Sequence, residues 1–197
     1  MTRVAIVDYG LGNLRSVMRG LEKAGATPVI TTDAEEIAAA DGIVLPGVGA
    51  FREGMDQLGP LRETVVSSAG EVPLLGICLG MQMLLEWSEE HGLHRGLGLV
   101  PGSVTRFKVL EKVPQIGWNQ LQIRRASRLF QFVKNGSFAY YCHSYYGPDV
   151  REAVAVTEYG ETYASGIERE NVWAVQFHPE KSGEVGLRIL RNFLRLA

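Results

Sequence analysis

The chain has 197 residues, of which 46% are hydrophobic and 21% charged, with a formal net charge of −2. Those proportions exclude a disordered tail, a collagen-like repeat and a coiled coil, and they leave room for one substantial core. The near-neutral balance offers no electrostatic footprint for nucleic acid or an anionic membrane.

The first half alternates short apolar runs with helix-length segments. Arg3–Val7 is rich in β-branched residues and ends in the turn Asp8-Tyr9-Gly10-Leu11-Gly12. Leu14, Val17, Met18 and Leu21 recur at helical spacing, and Gly25 closes that helix. Thr27–Thr31 reads as a second strand. Asp33 with Glu36 three residues later reads as a capping box that opens a short helix to about Ala40. Gly42–Leu45 is a third strand, stopped by Pro46-Gly47. A helical region runs from Phe51 to Ala69, with a break expected at Gly59-Pro60. Pro73–Ile77 is a fourth apolar strand, and Leu79–Trp87 is read as a helix. The uncharged stretch Val72–Leu85 has 14 residues, short of the ~20 that a membrane-spanning helix needs.

In the second half, Val104–Phe107, Gln115–Ile123, Ser137–Cys142, Ala153–Glu158, Tyr163–Glu168 and Val172–Phe177 are strand-like. Short turns join the last three into an antiparallel meander. Ser182–Leu196 is an amphipathic closing helix with Leu187, Leu190, Phe193 and Leu194 on one face. The expected fold is α/β: an open, mostly parallel sheet with helices on both faces, extended by antiparallel strands in the C-terminal half. With no linker or repeat, residues 1–197 read as a single domain. Two cysteines, no signal-peptide core and no apolar span point to a reducing cytoplasm.

The sharpest local pattern is Gly76-Ile77-Cys78-Leu79-Gly80, between an apolar strand and a helix-like segment. It matches the Gly-x-nucleophile-x-Gly elbow with cysteine as nucleophile. So tight a turn needs neighbours without side chains, and it lifts the thiol to the carboxyl edge of the sheet, where the start of a helix favours a thiolate. Taken alone, the pentapeptide fits a small packed cysteine equally well.

Among four histidines, His91 and His94 lie in a polar stretch and read as loop residues. His178 ends an apolar strand, is held extended by Pro179, and has Glu180 two positions on, so imidazole and carboxylate project to one side. A thiol, an imidazole base and an orienting carboxylate make a nucleophilic triad. Cys142 and His143 are adjacent and point to opposite strand faces, and no metal-ligand spacing occurs, so no metal or other cofactor is expected. Gly10-Leu11-Gly12 and Gly47-Val48-Gly49 lack the third glycine of a dinucleotide fingerprint. The second of these turns is readable either as a plain turn or as a source of oxyanion donors.

These residues resemble the triad-type, class I glutamine amidotransferases through Gly76-Ile77-Cys78-Leu79-Gly80-Met81-Gln82 and Phe177-His178-Pro179-Glu180. Asp8-Tyr9-Gly10-Leu11-Gly12-Asn13-Leu14, Pro46-Gly47-Val48-Gly49-Ala50-Phe51, Ile116-Gly117-Trp118-Asn119 and His143-Ser144-Tyr145-Tyr146 are similar to the glutaminase subunits of imidazole glycerol phosphate synthases. Most of the wider class carries Pro-Gly-Gly where this chain has Pro46-Gly47-Val48. The resemblance implies a flavodoxin-like fold. It also implies a heterodimer with a (β/α)8-barrel cyclase, which uses ammonia to make imidazole glycerol phosphate and an aminoimidazole carboxamide ribonucleotide. It implies Cys78 as nucleophile, His178 as proton carrier and Glu180 as its orienting group. The amide of Leu79 and one from Val48 or Gly49 would stabilise the oxyanion, and Gln82, Ser144, Tyr145 and Gly47 would hold glutamine. Asn13, Trp118, Tyr140 and Lys181 are candidates for the partner interface and ammonia passage, and the peptide of Val48 for a switch that completes the oxyanion hole. The alternatives are a glutaminase for another synthase, in pyridoxal phosphate or purine synthesis, and a catalytically silent regulatory subunit. Val48 and the His143–Tyr146 segment argue against the first, and the intact triad against the second.

Overall fold

The computed structural model describes residues 2–197. Its N-terminal half runs β1 (Arg3–Val7), α1 (Leu14–Ala24), β2 (Thr27–Thr31), α2 (Ala34–Ala38), β3 (Gly42–Gly47), α3 (Phe51–Leu58), a 3-10 turn (Gly59–Leu61), α4 (Arg62–Ser68), β4 (Leu74–Cys78) and α5 (Leu79–Met83). The β-branched runs form central strands buried on both faces. Alternate side chains therefore feed two cores: Ala5 and Val7 join Ile37, Leu45, Phe51 and Val65 on one side, while Val4 and Ile6 join Val17, Leu21, Ile189 and Phe193 on the other.

Local signals set the helix ends. Gly25 terminates α1 in the left-handed conformation, φ 108°, with its N–H on the carbonyls of Leu21 and Glu22. The break at Gly59-Pro60 is the 3-10 turn. Asp33 does cap α2, but it accepts the N–H of Glu35, and Glu36 reaches out to Arg3 at 2.6 Å instead of closing a reciprocal box. β3 does not stop at Pro46-Gly47: both residues stay in the ladder, with Gly47 opposite Cys78.

The C-terminal half contributes β5 (Leu85–Ser88), β6 (His94–Arg95), β7 (Val100–Arg106), β8 (Gln115–Gln120), β9 (Gln122–Ile123), β10 (Phe138–His143), β11 (Tyr145–Tyr146), β12 (Ala153–Tyr159), β13 (Glu161–Arg169), β14 (Val172–Val175) and α6 (Gly183–Leu194). The main sheet has the order β2-β1-β3-β4-β14-β13-β12-β9. Strands β2 through β14 are parallel in the 2-1-3-4-5 order of flavodoxin-like sheets, and β13, β12 and β9 add the antiparallel extension. The meander thus continues the same sheet. The helix expected over Leu79–Trp87 ends after one turn, because Leu85–Ser88 becomes β5 beside β7. The expected Gln115–Ile123 strand is split into β8, which pairs with β10, and β9, at the sheet edge. No helix among the described residues is long and apolar enough to cross a membrane.

Candidate active site

β4 runs out at Cys78, and α5 begins at the next residue, leaving the cysteine at φ 55° and ψ −109°. The flanking glycines permit that turn. A Cβ on Gly76 would lie 2.7 Å from Leu84 Cδ1 and 3.0 Å from the Met81 backbone, and one on Gly80 would lie 1.8 Å from the Leu45 carbonyl oxygen. At Gly80 no side chain fits without moving α5 off β3, and at Gly76 the Leu84 methyl would have to give way, so the backbone conformation is held by the surrounding packing.

The base arrives on the neighbouring strand. β14 pairs with β4 in parallel, Val175 opposite Ile77, so the chain leaves β14 beside the thiol. His178 stands close enough to the Cys78 sulfur to interact with it, and both line one cavity. The imidazole Nδ1 lies 2.8 Å from Glu180 Oε1, which leaves Nε2 for the sulfur. The segment between them is not extended as the sequence suggests: Pro179–Lys181 forms a 3-10 turn, and the turn rather than a strand brings the carboxylate round to the ring. The Glu180 side chain is 1% exposed. Burial works to lower the imidazole's basicity. Interactions with the Cys78 sulfur and the Glu180 carboxylate, with the charges of both, outweigh burial and raise the His178 pKa from 6.5 to about 10. Both partners thus favour the protonated ring.

Cys78 and His178 open onto a cavity of about 520 Å³ whose wall includes Val48, Gly49, Leu79, Gln82, Glu90, Ser144 and Tyr145. Leu79 is the first residue of α5, where N–H groups lack intrahelical partners. Facing it, Val48 is 42% exposed and Gly49 has φ 105°. Gly47 lies beneath the wall, between the Tyr9 hydroxyl and α5, where an added Cβ would be 2.3 Å from that oxygen. Gln82 is buried rather than a helix surface residue, and its Nε2 donates to the Tyr145 carbonyl at 2.7 Å and to Gln176 Oε1 at 3.1 Å. His91 stands on the cavity wall, and His94 lies in β6 rather than in a loop. As expected of adjacent strand residues, Cys142 is exposed while His143 is buried. Burial lowers the His143 pKa to about 4, against a raising hydrogen bond to the Tyr145 carbonyl, with the His178 charge lowering it further.

Three site residues escaped the sequence reading. Glu90 places Oε2 on the Phe51 N–H at 2.6 Å and so caps α3 from the cavity wall. Ser182 ties two segments together by donating to the His178 carbonyl and accepting from the Tyr140 N–H, alongside a direct bond from the His178 N–H to the Tyr140 carbonyl. Gln176 is fully buried at the end of β14, with its Nε2 3.6 Å from the Cys78 sulfur. Its only signal in the sequence is a polar residue inside an otherwise apolar run, two positions before His178.

Beside the cavity, β8 and β10 form a two-stranded ribbon that turns Ile116, Trp118, Phe138 and Cys142 outward. Trp118, 55% exposed, stands edge-on to Tyr140 at 6.1 Å, and Lys181 Nζ lies 5.7 Å from the Tyr140 ring centroid. Trp118 is thus no core residue. Asn13 is exposed at the N-cap position of α1, but its side chain makes no capping bond.

Comparison with known proteins agrees with this geometry. The family described as "Glutamine amidotransferase class-I" matches residues 5–197. The protein named imidazole glycerol phosphate synthase subunit HisH of Methanosarcina mazei is 52% identical, with both chains covered in full. The proteins of that name from Archaeoglobus fulgidus and Methanocaldococcus jannaschii are 48% and 47% identical, covering 98% of this chain and 98% and 99% of theirs. Among solved structures, one described as a glutamine amidotransferase superposes with a TM-score of 0.76 at 18% identity, over 98% of this chain and 97% of that one. The structure of PurLQS from Thermotoga maritima gives 0.74 at 20%, over 99% of each. At those identities the structural likeness speaks to the fold, while the profile and the full-length relatives speak to descent. A cysteine elbow, an imidazole and a buried carboxylate, convergent on a sheet of this order, thus sit in a chain that belongs to the class-I glutamine amidotransferase family.

Proposed function

We infer that this single-domain chain is the glutaminase subunit of an imidazole glycerol phosphate synthase. The convergence of Cys78, His178 and Glu180 from two adjacent strands carries the reading. It is supported by full-length identity to subunits of that name.

The Cys78 sulfur attacks the side-chain amide carbon of glutamine, and the tetrahedral oxyanion is met by the amide of Leu79 and one from Val48 or Gly49. His178, holding the proton it takes from the thiol, gives it from Nε2 to the departing ammonia, leaving a γ-glutamyl thioester. The neutral imidazole then takes a proton from water, whose oxygen attacks the thioester, and returns it to the sulfur as glutamate leaves. Glu180 keeps Nδ1 oriented and compensates the imidazolium charge. Gln82 and the backbone of Ser144 and Tyr145 hold the substrate, with Gly47 shaping the floor beneath. Glu90 is the buried carboxylate of the wall and the natural partner for the α-ammonium.

The partner is a (β/α)8-barrel cyclase that docks on the apolar ribbon at Trp118 and Tyr140, with Asn13 and Lys181 at its margin. Ammonia released into water near neutral pH is protonated and loses its nucleophilicity, so an enclosed passage at this face preserves it. A peptide rotation at Val48 would complete the oxyanion hole when the partner is loaded. The test is glutamate release with and without the cyclase and its nucleotide. Turnover should rise on their addition, and Cys78→Ala should abolish it while leaving folding and association intact. Persisting turnover in Cys78→Ala would overturn the nucleophile.

A further inference from the structure

Gln176 takes no part in the triad, the oxyanion hole or the glutamine contacts, yet every hydrogen-bonding group of its side chain points at something that does. The side chain is completely buried between the apolar residues Val175 and Phe177. A buried primary amide is destabilising unless its N–H and C=O groups are paired. Its Nε2 faces the Cys78 sulfur at 3.6 Å, and its Oε1 accepts from Gln82 Nε2 at 3.1 Å.

The direction of this relay is set from outside. The Tyr145 carbonyl only accepts, so Gln82 must turn its nitrogen toward it, at 2.7 Å. That same nitrogen faces Gln176, which must therefore present its oxygen there. The Gln176 nitrogen is then left facing the sulfur. Either amide flipped would set donor against donor or acceptor against acceptor. The sulfur is thus met by the imidazole of His178, the amide of Gln176 and, at 4.0 Å, the Cys142 carbonyl. Of the three, only the imidazole and the amide carry N–H donors.

We propose that Gln176 is a positioning residue, which aims the Cys78 sulfur by an N–H donor and couples it through Gln82 to the backbone of Tyr145. The proposal rests on the glutaminase reading above. A donor fixed in space is worth more to an anionic sulfur than to a neutral one, and its position is transmitted to the substrate-binding segment without any contact to substrate.

Two substitutions separate aiming from space-filling. Gln176→Met keeps length and bulk and removes both hydrogen bonds. Gln176→Glu keeps an acceptor for Gln82 but turns a carboxyl oxygen on the sulfur. With folding checked by thermal melts, Cys78 alkylation by iodoacetamide is followed across pH by peptide-resolved mass spectrometry, which separates it from the exposed Cys142. Alkylation of Cys78 at neutral pH should slow by about tenfold in Gln176→Met and further in Gln176→Glu, as expected for loss of a hydrogen bond to a charged group. In Gln176→Glu the pH dependence should also move in the alkaline direction. With the cyclase present, Gln176→Glu should lower kcat for glutamine with KM near the parental value, whereas Gln176→Met, which frees Gln82, should raise KM as well. Parental alkylation rates and pH dependence in the folded variants would overturn the proposal, and Gln176→Met decides alone if Gln176→Glu does not fold. Iodoacetamide needs no glutamine site. A parent that is alkylated yet releases no glutamate therefore overturns the functional reading, while the comparison at Gln176 still stands.

Discussion

Replacing Gly80 by alanine adds one methyl group at the tightest crossing near the nucleophile. The new Cβ would lie 1.8 Å from the Leu45 carbonyl oxygen and 2.8 Å from its carbon, where real contacts do not fall below 3.0 Å. Both atoms are backbone, so α5 and β3 must separate by ~1.2 Å, a shift the dense surroundings resist. Overpacking of this kind costs ~1–3 kcal/mol, or ~2–4 °C of melting temperature per kcal/mol for a chain of this length. The effect on rate should be larger than the effect on stability. α5 carries the Leu79 amide and β3 leads into Val48-Gly49, so their separation would open the oxyanion hole proposed for these amides, and a displacement near 1 Å can reduce turnover by ~10²-fold. Glutamate release by the complex, measured beside thermal melts, tests this. Gly70→Ala, whose Cβ would meet nothing closer than 3.5 Å, is the control. A Gly80→Ala protein that folds and turns over at the parental rate would refute the assignment of the oxyanion donors to these two elements.

Further outcomes follow from the same geometry. Glu180→Gln keeps the shape but strips the imidazolium of its buried counter-charge, and kcat should fall ~10–100-fold, the equivalent of one charge-assisted hydrogen bond; an unchanged kcat would remove Glu180 from the triad. Trp118→Ala should weaken cyclase association by ~30-fold or more, as loss of a central aromatic anchor does, while the glutaminase activity of the isolated chain is preserved; unaltered binding in a titration would move the docking face elsewhere. The two buried histidines should give the stability profile opposite slopes. His178, with its pKa raised to about 10, contributes fully below 6.5, and its contribution is lost as pH rises toward 10. His143, with its pKa lowered to about 4, makes the unfolded chain the stronger proton binder, so stability rises with pH from about 4 to 6.5. Melting midpoints against pH should lose their alkaline limb in His178→Gln and their acid limb in His143→Gln, and profiles parallel to the parent's would contradict both assignments.

The parallel half of the sheet was legible because its strands are short β-branched runs between clear stop signals: β1 and β2 fall where Arg3–Val7 and Thr27–Thr31 put them. The segment after the elbow was not. Met81, Met83, Leu84 and Leu85 carry a helical pattern, but non-local partners decide the backbone: Leu97 N–H bonds to Met83, Val100 to Leu84, Gly98 to Leu85 and Gly96 to Glu86. Those pairings cross a loop and leave no local trace. Cys78 and His178 could be named from turn chemistry, but the 3-10 turn that delivers Glu180 could not, because extended and turned backbones both bring positions two apart together. Gln176 was lost inside an apolar run. Its meaning lies in partners from β4 and α5, almost a hundred residues away along the chain.

The order of the sheet has a consequence for biosynthesis. The thiol stands on β4 and its proton carrier follows β14, which is hydrogen-bonded between β4 and β13. A ribosome has therefore added 100 residues after the thiol before the two can meet. Until β14 slots into place, the cysteine of the growing chain has neither imidazole nor amide beside it. Chemical competence thus waits on the insertion of β14 between strands made before it and beside it.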